Sequence, residues 1–118
     1  MRSRIWAVEL SDEAAGDFRG IIRWTRRRFG SDQATEYGRV IKAALFELRA
    51  GPGILGIRDL GEVGPGYLSL HIARHGRRGR HFLLFRFRET DRRVVGVARI
   101  LHESMDLAWH VPPVDDEG

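Results

Sequence analysis

Two stretches constrain the fold most, Gly79-Arg80-His81-Phe82-Leu83-Leu84-Phe85-Arg86-Phe87-Arg88 and Val94-Val95-Gly96-Val97-Ala98-Arg99-Ile100-Leu101-His102. Both are rich in aromatic or β-branched residues. The intervening Glu89-Thr90-Asp91-Arg92-Arg93 is polar and of hairpin length, so the pair predicts an antiparallel β-hairpin. Alternation places Leu83, Phe85 and Phe87 on one face of the first strand and Phe82, Leu84, Arg86 and Arg88 on the other. Tyr67-Leu68-Ser69-Leu70-His71-Ile72 alternates in the same way, with Leu68, Leu70 and Ile72 facing one side, and reads as a further half-buried strand. An apolar sheet face of this kind must be covered by another layer.

The first half of the chain supplies that layer. After strand-like Ile5-Trp6-Ala7-Val8-Glu9-Leu10, Ser11 is a helix N-cap, Asp12 and Glu13 suit the positive first turn, and Arg26-Arg27-Arg28 suit the negative end before Gly30. Ala14, Phe18, Ile21, Ile22, Thr25 and Phe29 recur at spacings of three and four, forming one apolar stripe, while Arg19, Arg23 and Arg26 point away. A second helix starts at Ser31, places Ala34, Tyr37, Ile41, Ala44, Leu45 and Leu48 on its apolar face, and stops at Gly51-Pro52-Gly53. The break between them, about two residues long, makes the helices an antiparallel αα-hairpin whose shared apolar face covers the sheet. Gly51 to Gly66 reads as an irregular connector with room for a short edge strand.

A length of 118 residues suits one domain with a modest core. We assign residues 1–113 to that domain and 114–118 to a disordered acidic tail. No apolar run approaches the roughly 20 residues of a membrane span, and Met1-Arg2-Ser3-Arg4 enters a strand without the apolar core of a signal peptide. The expectation is a cytoplasmic protein without membrane association. The absence of cysteine excludes disulfides, thiol catalysis and thiolate metal sites. Asp115, Asp116 and Glu117 take three negative charges out of a net of +4, so the rest of the chain carries +7. Lys42 is the only lysine. The positive charge is therefore nearly all guanidinium, which can grip carboxylate or phosphate with two parallel hydrogen bonds.

The histidines at 71, 75 and 81 have irregular spacing and no nearby acidic ligand, so no metal site is assigned. If the end of the chain is helical, His102, Asp106 and His110 share a face; hydrogen bonding of a histidine to a carboxylate one turn away accounts for that spacing. The loop Arg74 to Arg80 resembles a phosphate-binding arginine cluster, although turns also favour glycine and solvated charge, so direct nucleic-acid binding is an open alternative. One helical hairpin covers one sheet face, leaving Phe82 and Leu84 among Arg86, Arg88, Ser69 and His71 on the other. Either a partner protein or the segment Leu107 to Val111 covers that second face.

The order of these features resembles the ParE toxins of the RelE/ParE toxin–antitoxin superfamily. The resemblance runs from the N-terminal strand through Phe29-Gly30 at the helix turn, Gln33-Ala34, the glycine-proline break and the Gly79-Arg80-His81 strand to Arg99-Ile100-Leu101-His102 and Asp106. It implies an α+β fold with an N-terminal strand, an antiparallel αα-hairpin on one face of a twisted, mainly antiparallel sheet, and a short C-terminal helical segment. It also implies a cognate antitoxin and inhibition of DNA gyrase by protein binding, with no catalytic residues and no cofactor. Arg80, Arg86, Arg99, His102, Met105, Asp106, Trp109 and His110 are assigned to the target, and Phe82, Leu84, Arg88 and His71 to the antitoxin. A toxin dimer within the antitoxin complex is compatible with this reading. RelE-type relatives cut ribosome-bound messenger RNA by general acid–base chemistry. Here Phe82 stands where many relatives carry an arginine, and the last segment has no tyrosine. Ribosome-dependent cleavage therefore ranks second, and a non-toxic binding module third.

Overall fold

The computed structural model describes residues 5–105. Its elements are β1 (Ala7–Leu10), α1 (Asp12–Phe29), α2 (Ser31–Glu47) with a 3-10 turn at Leu48–Ala50, β2 (Arg58–Asp59), β3 (Leu68–His71), β4 (His81–Glu89) and β5 (Arg93–His102). The five strands form an open sheet in the order β1-β5-β4-β3-β2, in which β1 runs parallel to β5 and every other pair is antiparallel. The hairpin β4–β5 is the longest pairing, from His81 opposite His102 to Glu89 opposite Arg93.

Helix α1 starts as its sequence predicts, because the Ser11 hydroxyl accepts the Ala14 backbone N–H at 2.9 Å. A single residue, Gly30, separates α1 from α2, tighter than the two-residue break expected. Its φ of 97° is open to glycine and strained for other residues, so the hinge depends on it. The shorter link leaves α2 without a side-chain N-cap. Phe29, counted in the apolar stripe, instead ends the helix 60% exposed.

The helical hairpin covers one sheet face as expected. Ala14 of α1, Val40, Ile41 and Ala44 of α2, Leu48 of the 3-10 turn, Leu70 and Ile72, Leu83 and Phe85, and Val95, Val97 and Ile100 form the main core, with Trp6 closing one end. Trp6 donates its backbone N–H to the Arg49 carbonyl, and its indole fills the space beside Gly51, where a Cβ would stand 2.6 Å from the indole nitrogen. Glycine at 51 is thus required twice, by that contact and by a φ of 90°.

The second sheet face departs from expectation. Leu84 and Leu101 are wholly buried there beneath Leu60 and Tyr67, with Val63, Phe82 and Ala98 packed around them. Residues 60–67 close into a turn, with Leu60 N–H bonded to the Tyr67 carbonyl and Val63 N–H to the Leu60 carbonyl, both at 2.9 Å. The glycine-rich connector therefore lies across the sheet and forms a small second core. Leu107 to Val111, one of the two covers considered, lies outside the described residues, as do the expected C-terminal helical segment and acidic tail.

Candidate functional site

Strand β1 pairs with β5 only as far as Val97, so the next backbone groups of β5 need other partners. The turn into α1 provides them: Ser11 N–H bonds to the Val97 carbonyl at 3.0 Å, and the Ser11 hydroxyl donates to the Ala98 carbonyl at 2.8 Å. Asp17, one turn into α1, accepts the Ile100 N–H at 2.9 Å and holds Arg99 through Nε at 2.8 Å and Nη2 at 2.9 Å. A bulge aids this grip. Leu84 lies opposite Arg99 and Phe85 opposite Val97, so Ala98 is an extra residue that bends the strand. The hydrogen bond to Asp17 raises the Arg99 pKa further above its ordinary value, against the opposing effect of burial.

A few residues further along the open end of the hairpin, β3, β4 and β5 bring polar side chains together around His81. Its ring crosses that of His102, its partner on β5, edge to face with centroids 5.2 Å apart. The Tyr37 hydroxyl of α2 lies 2.7 Å from His81 Nδ1 and accepts the Arg80 backbone N–H at 2.9 Å. His71 accepts the Ala73 N–H on Nδ1 at 3.0 Å and faces the Glu103 carboxylate from Nε2 at 2.8 Å; Arg80 reaches the same carboxylate at 3.3 Å. Burial, followed by the neighbouring His102 and His71, lowers the His81 pKa to about 4, so this ring is neutral at physiological pH. Burial also raises the Tyr37 pKa. The hydrogen bond from His71 holds Glu103 below the usual carboxylate range.

Two arginines of the loop, Arg74 and Arg77, are committed to the fold. Glu47, in the last turn of α2, accepts Arg74 Nε at 2.6 Å and pairs with Arg77 through its other oxygen. Although burial alone would raise its pKa, the hydrogen bonds from Arg74 and Arg77 outweigh that and lower it. Among the described residues no group of three or more His, Cys, Asp or Glu is arranged to hold a metal ion.

The residues assigned to the target do not form one surface. Arg80 and His102 belong to the His81 end, and Arg99 is drawn onto Asp17. Arg86 lies over the Tyr67 ring on the second face, 4.8 Å from its centroid. His102 occupies a strand, not a helix, and its Nδ1 accepts the Ser104 N–H at 3.1 Å. Met105 is exposed; Asp106, Trp109 and His110 lie outside the described residues. Of the residues assigned to the antitoxin, Phe82 and His71 are partly accessible, and Arg88 is exposed, 3.6 Å from Glu9 of β1. Leu84 requires correction: it was expected on an open face but is fully covered by the chain's own connector.

Sequence reasoning missed Asp17, Glu47 and Tyr37. Asp17 follows Asp12 and Glu13 on a charged helix, and its local pattern is that of solvent-facing charge; its partners lie more than 80 positions away. Tyr37 was counted as apolar, yet a tyrosine packed on a core face needs a partner for its hydroxyl. Glu47 carries no comparable local signal.

Residues 8–107 match the family model described as the ParE toxin of the type II toxin-antitoxin system, parDE. The chain is 37% identical over 101 residues to Toxin ParE of Escherichia coli, covering 86% of this chain and 88% of that protein. It is 34% identical over 98 residues to Toxin ParE1 of Mycobacterium tuberculosis, covering 83% and 90% respectively. A solved structure titled "Chromosomal ParDE TA system from P. aeruginosa" shares the fold with a TM-score of 0.61 at 17% identity, over 85% of this chain and 98% of that one. Among the described residues no helix is long and apolar enough to cross a membrane. An αα-hairpin on an open five-stranded sheet, the family model's span of residues 8–107 and the two curated relatives together place this chain in the ParE toxin family of type II toxin–antitoxin systems.

Proposed function

We propose that this chain inhibits DNA gyrase by stoichiometric protein binding and is neutralised by a cognate antitoxin. The observation that carries the reading is the family match, which spans nearly all of the described residues. The chemistry at the His81 end supports binding over turnover. A general acid or base works best with a pKa near the operating pH, and His81 at about 4 has no proton to donate at neutral pH and little basicity. Phe82, beside it, can neither donate to a phosphate nor move a proton. The exposed rim of the second face, with Phe82, Arg86 and Arg88, suits an antitoxin segment that presents apolar side chains and carboxylates together. Arg80, His102 and Met105 are proposed for the gyrase contact.

A second reading, ribosome-dependent cleavage of messenger RNA, draws on the gathering of His71, His81, His102, Tyr37 and Arg80 at one sheet end. Purified protein assayed in parallel for gyrase supercoiling and for cell-free translation separates the two. Loss of supercoiling with translation intact, reversed by the cognate antitoxin, is the expected result. Codon-dependent cuts in messenger RNA that disappear with His102→Ala would overturn it.

A further inference from the structure

Among the described residues, the outward face of α1 is a basic surface that the fold does not use. Arg19, Arg23, Arg26 and Arg27 are exposed and have no carboxylate within ion-pair distance among the described residues, whereas Arg74, Arg77, Arg80, Arg88, Arg92, Arg93 and Arg99 each have one. Residues 19, 23 and 27 repeat every four positions, so they line one side of the helix at a rise of about 6 Å per step. Trp24 stands beside this row, 53% exposed, with Phe29 against its ring edge to face at 5.8 Å. An indole that the described residues leave half exposed and a second ring braces offers a flat apolar surface. Next to it Gly20 leaves the helix backbone bare, with open space where a side chain would stand.

We infer that this face binds single-stranded nucleic acid, with the arginines on successive phosphates and one base stacked on Trp24. Guanidinium groups along a row neutralise the backbone, and an aromatic side chain beside them stacks any base without sequence preference. A duplex or a uniformly acidic peptide would use the charge and leave the indole idle, whereas a single strand uses both features. The inference does not depend on which target the toxin inhibits.

The test is fluorescence anisotropy of labelled 15-mers of oligo(dT) and oligo(U) with the purified chain, over a range of salt concentrations. Binding of either oligomer should weaken linearly in log–log form, with a slope of about −0.7 for each phosphate neutralised; the tighter oligomer identifies the sugar the site accepts. The double variant Arg23→Glu/Arg27→Glu should lose at least about tenfold in affinity and flatten the slope, and Trp24→Ala should lose about tenfold. Circular dichroism checks that both variants retain the fold. Failure to bind either oligomer overturns the proposal, as does tighter binding of polyglutamate or of a 15-base-pair duplex. So does an equal loss in Arg88→Glu/Arg92→Glu, which changes net charge by the same amount around the β4–β5 turn, or unchanged affinity in Trp24→Ala.

Discussion

The arginines of α1 and those of the sheet ends carry the same charge and do different work. Arg74, Arg77 and Arg99 are partly buried, and each is bound to a carboxylate from the helical hairpin, Glu47 or Asp17. They pin the β3–β4 loop to the end of α2 and the open edge of β5 to the start of α1. Arg19, Arg23, Arg26 and Arg27 are exposed on α1 and form no ion pair among the described residues. Arginine content alone therefore says little about function. What separates the two groups is whether the fold brings a carboxylate to the guanidinium, a long-range property invisible in local sequence.

Removing Asp17 should produce the largest effect. Asp17→Ala leaves Arg99 and the Ile100 N–H without their shared acceptor in a partly buried site, at a cost of about 2–4 kcal/mol in chemical denaturation. A loss under about 0.5 kcal/mol would place Arg99 with the α1 group.

An intermediate effect is expected from pH. A histidine held at about 4 in the folded chain takes up its proton near 6.5 when unfolded, so the unfolded state binds more protons between those values. Stability is therefore full above pH 6.5 and falls as pH drops from about 6.5 to 4. Discounted for partial exposure, the loss is about 1–2 kcal/mol. Glu47, whose pKa is lowered, adds its own loss only at lower pH, as it becomes protonated below the ordinary carboxylate value. Thermal melts at pH 7 and pH 5 should differ, and His81→Gln should remove most of that difference. An unchanged pH dependence in His81→Gln would mean that the ring is not held neutral by its surroundings.

The smallest effect should come from α1. Arg23→Ala should change stability by no more than about 0.5 kcal/mol, since the side chain is exposed and has no ion-pair partner among the described residues. A loss comparable to that of Asp17→Ala would erase the distinction between the two arginine groups.

Local chemistry made much of the fold legible. The Ser11 cap, the alternation of Leu83, Phe85 and Phe87, the polar turn between β4 and β5 and the glycine between the helices each act over a few residues, and each stands where its pattern places it. The second face was harder to read because its cover, Leu60, Val63 and Tyr67, comes from a glycine-rich segment without periodicity. Arg99 was legible as a residue of interest, but its partner Asp17 lies 82 positions away on a helix whose local pattern explains it only as solvent-facing charge. The Tyr37–His81 contact likewise joins residues 44 positions apart.

Titration of gyrase with the purified chain tests the central claim most directly, because binding and catalysis differ in how inhibition depends on amount and time. At fixed gyrase concentration, supercoiling should fall in proportion to added protein, level off near an equimolar ratio, remain constant with longer incubation, and return when the cognate antitoxin is added. Unimpaired supercoiling at a large molar excess, together with translation that fails progressively at substoichiometric amounts, would contradict the account.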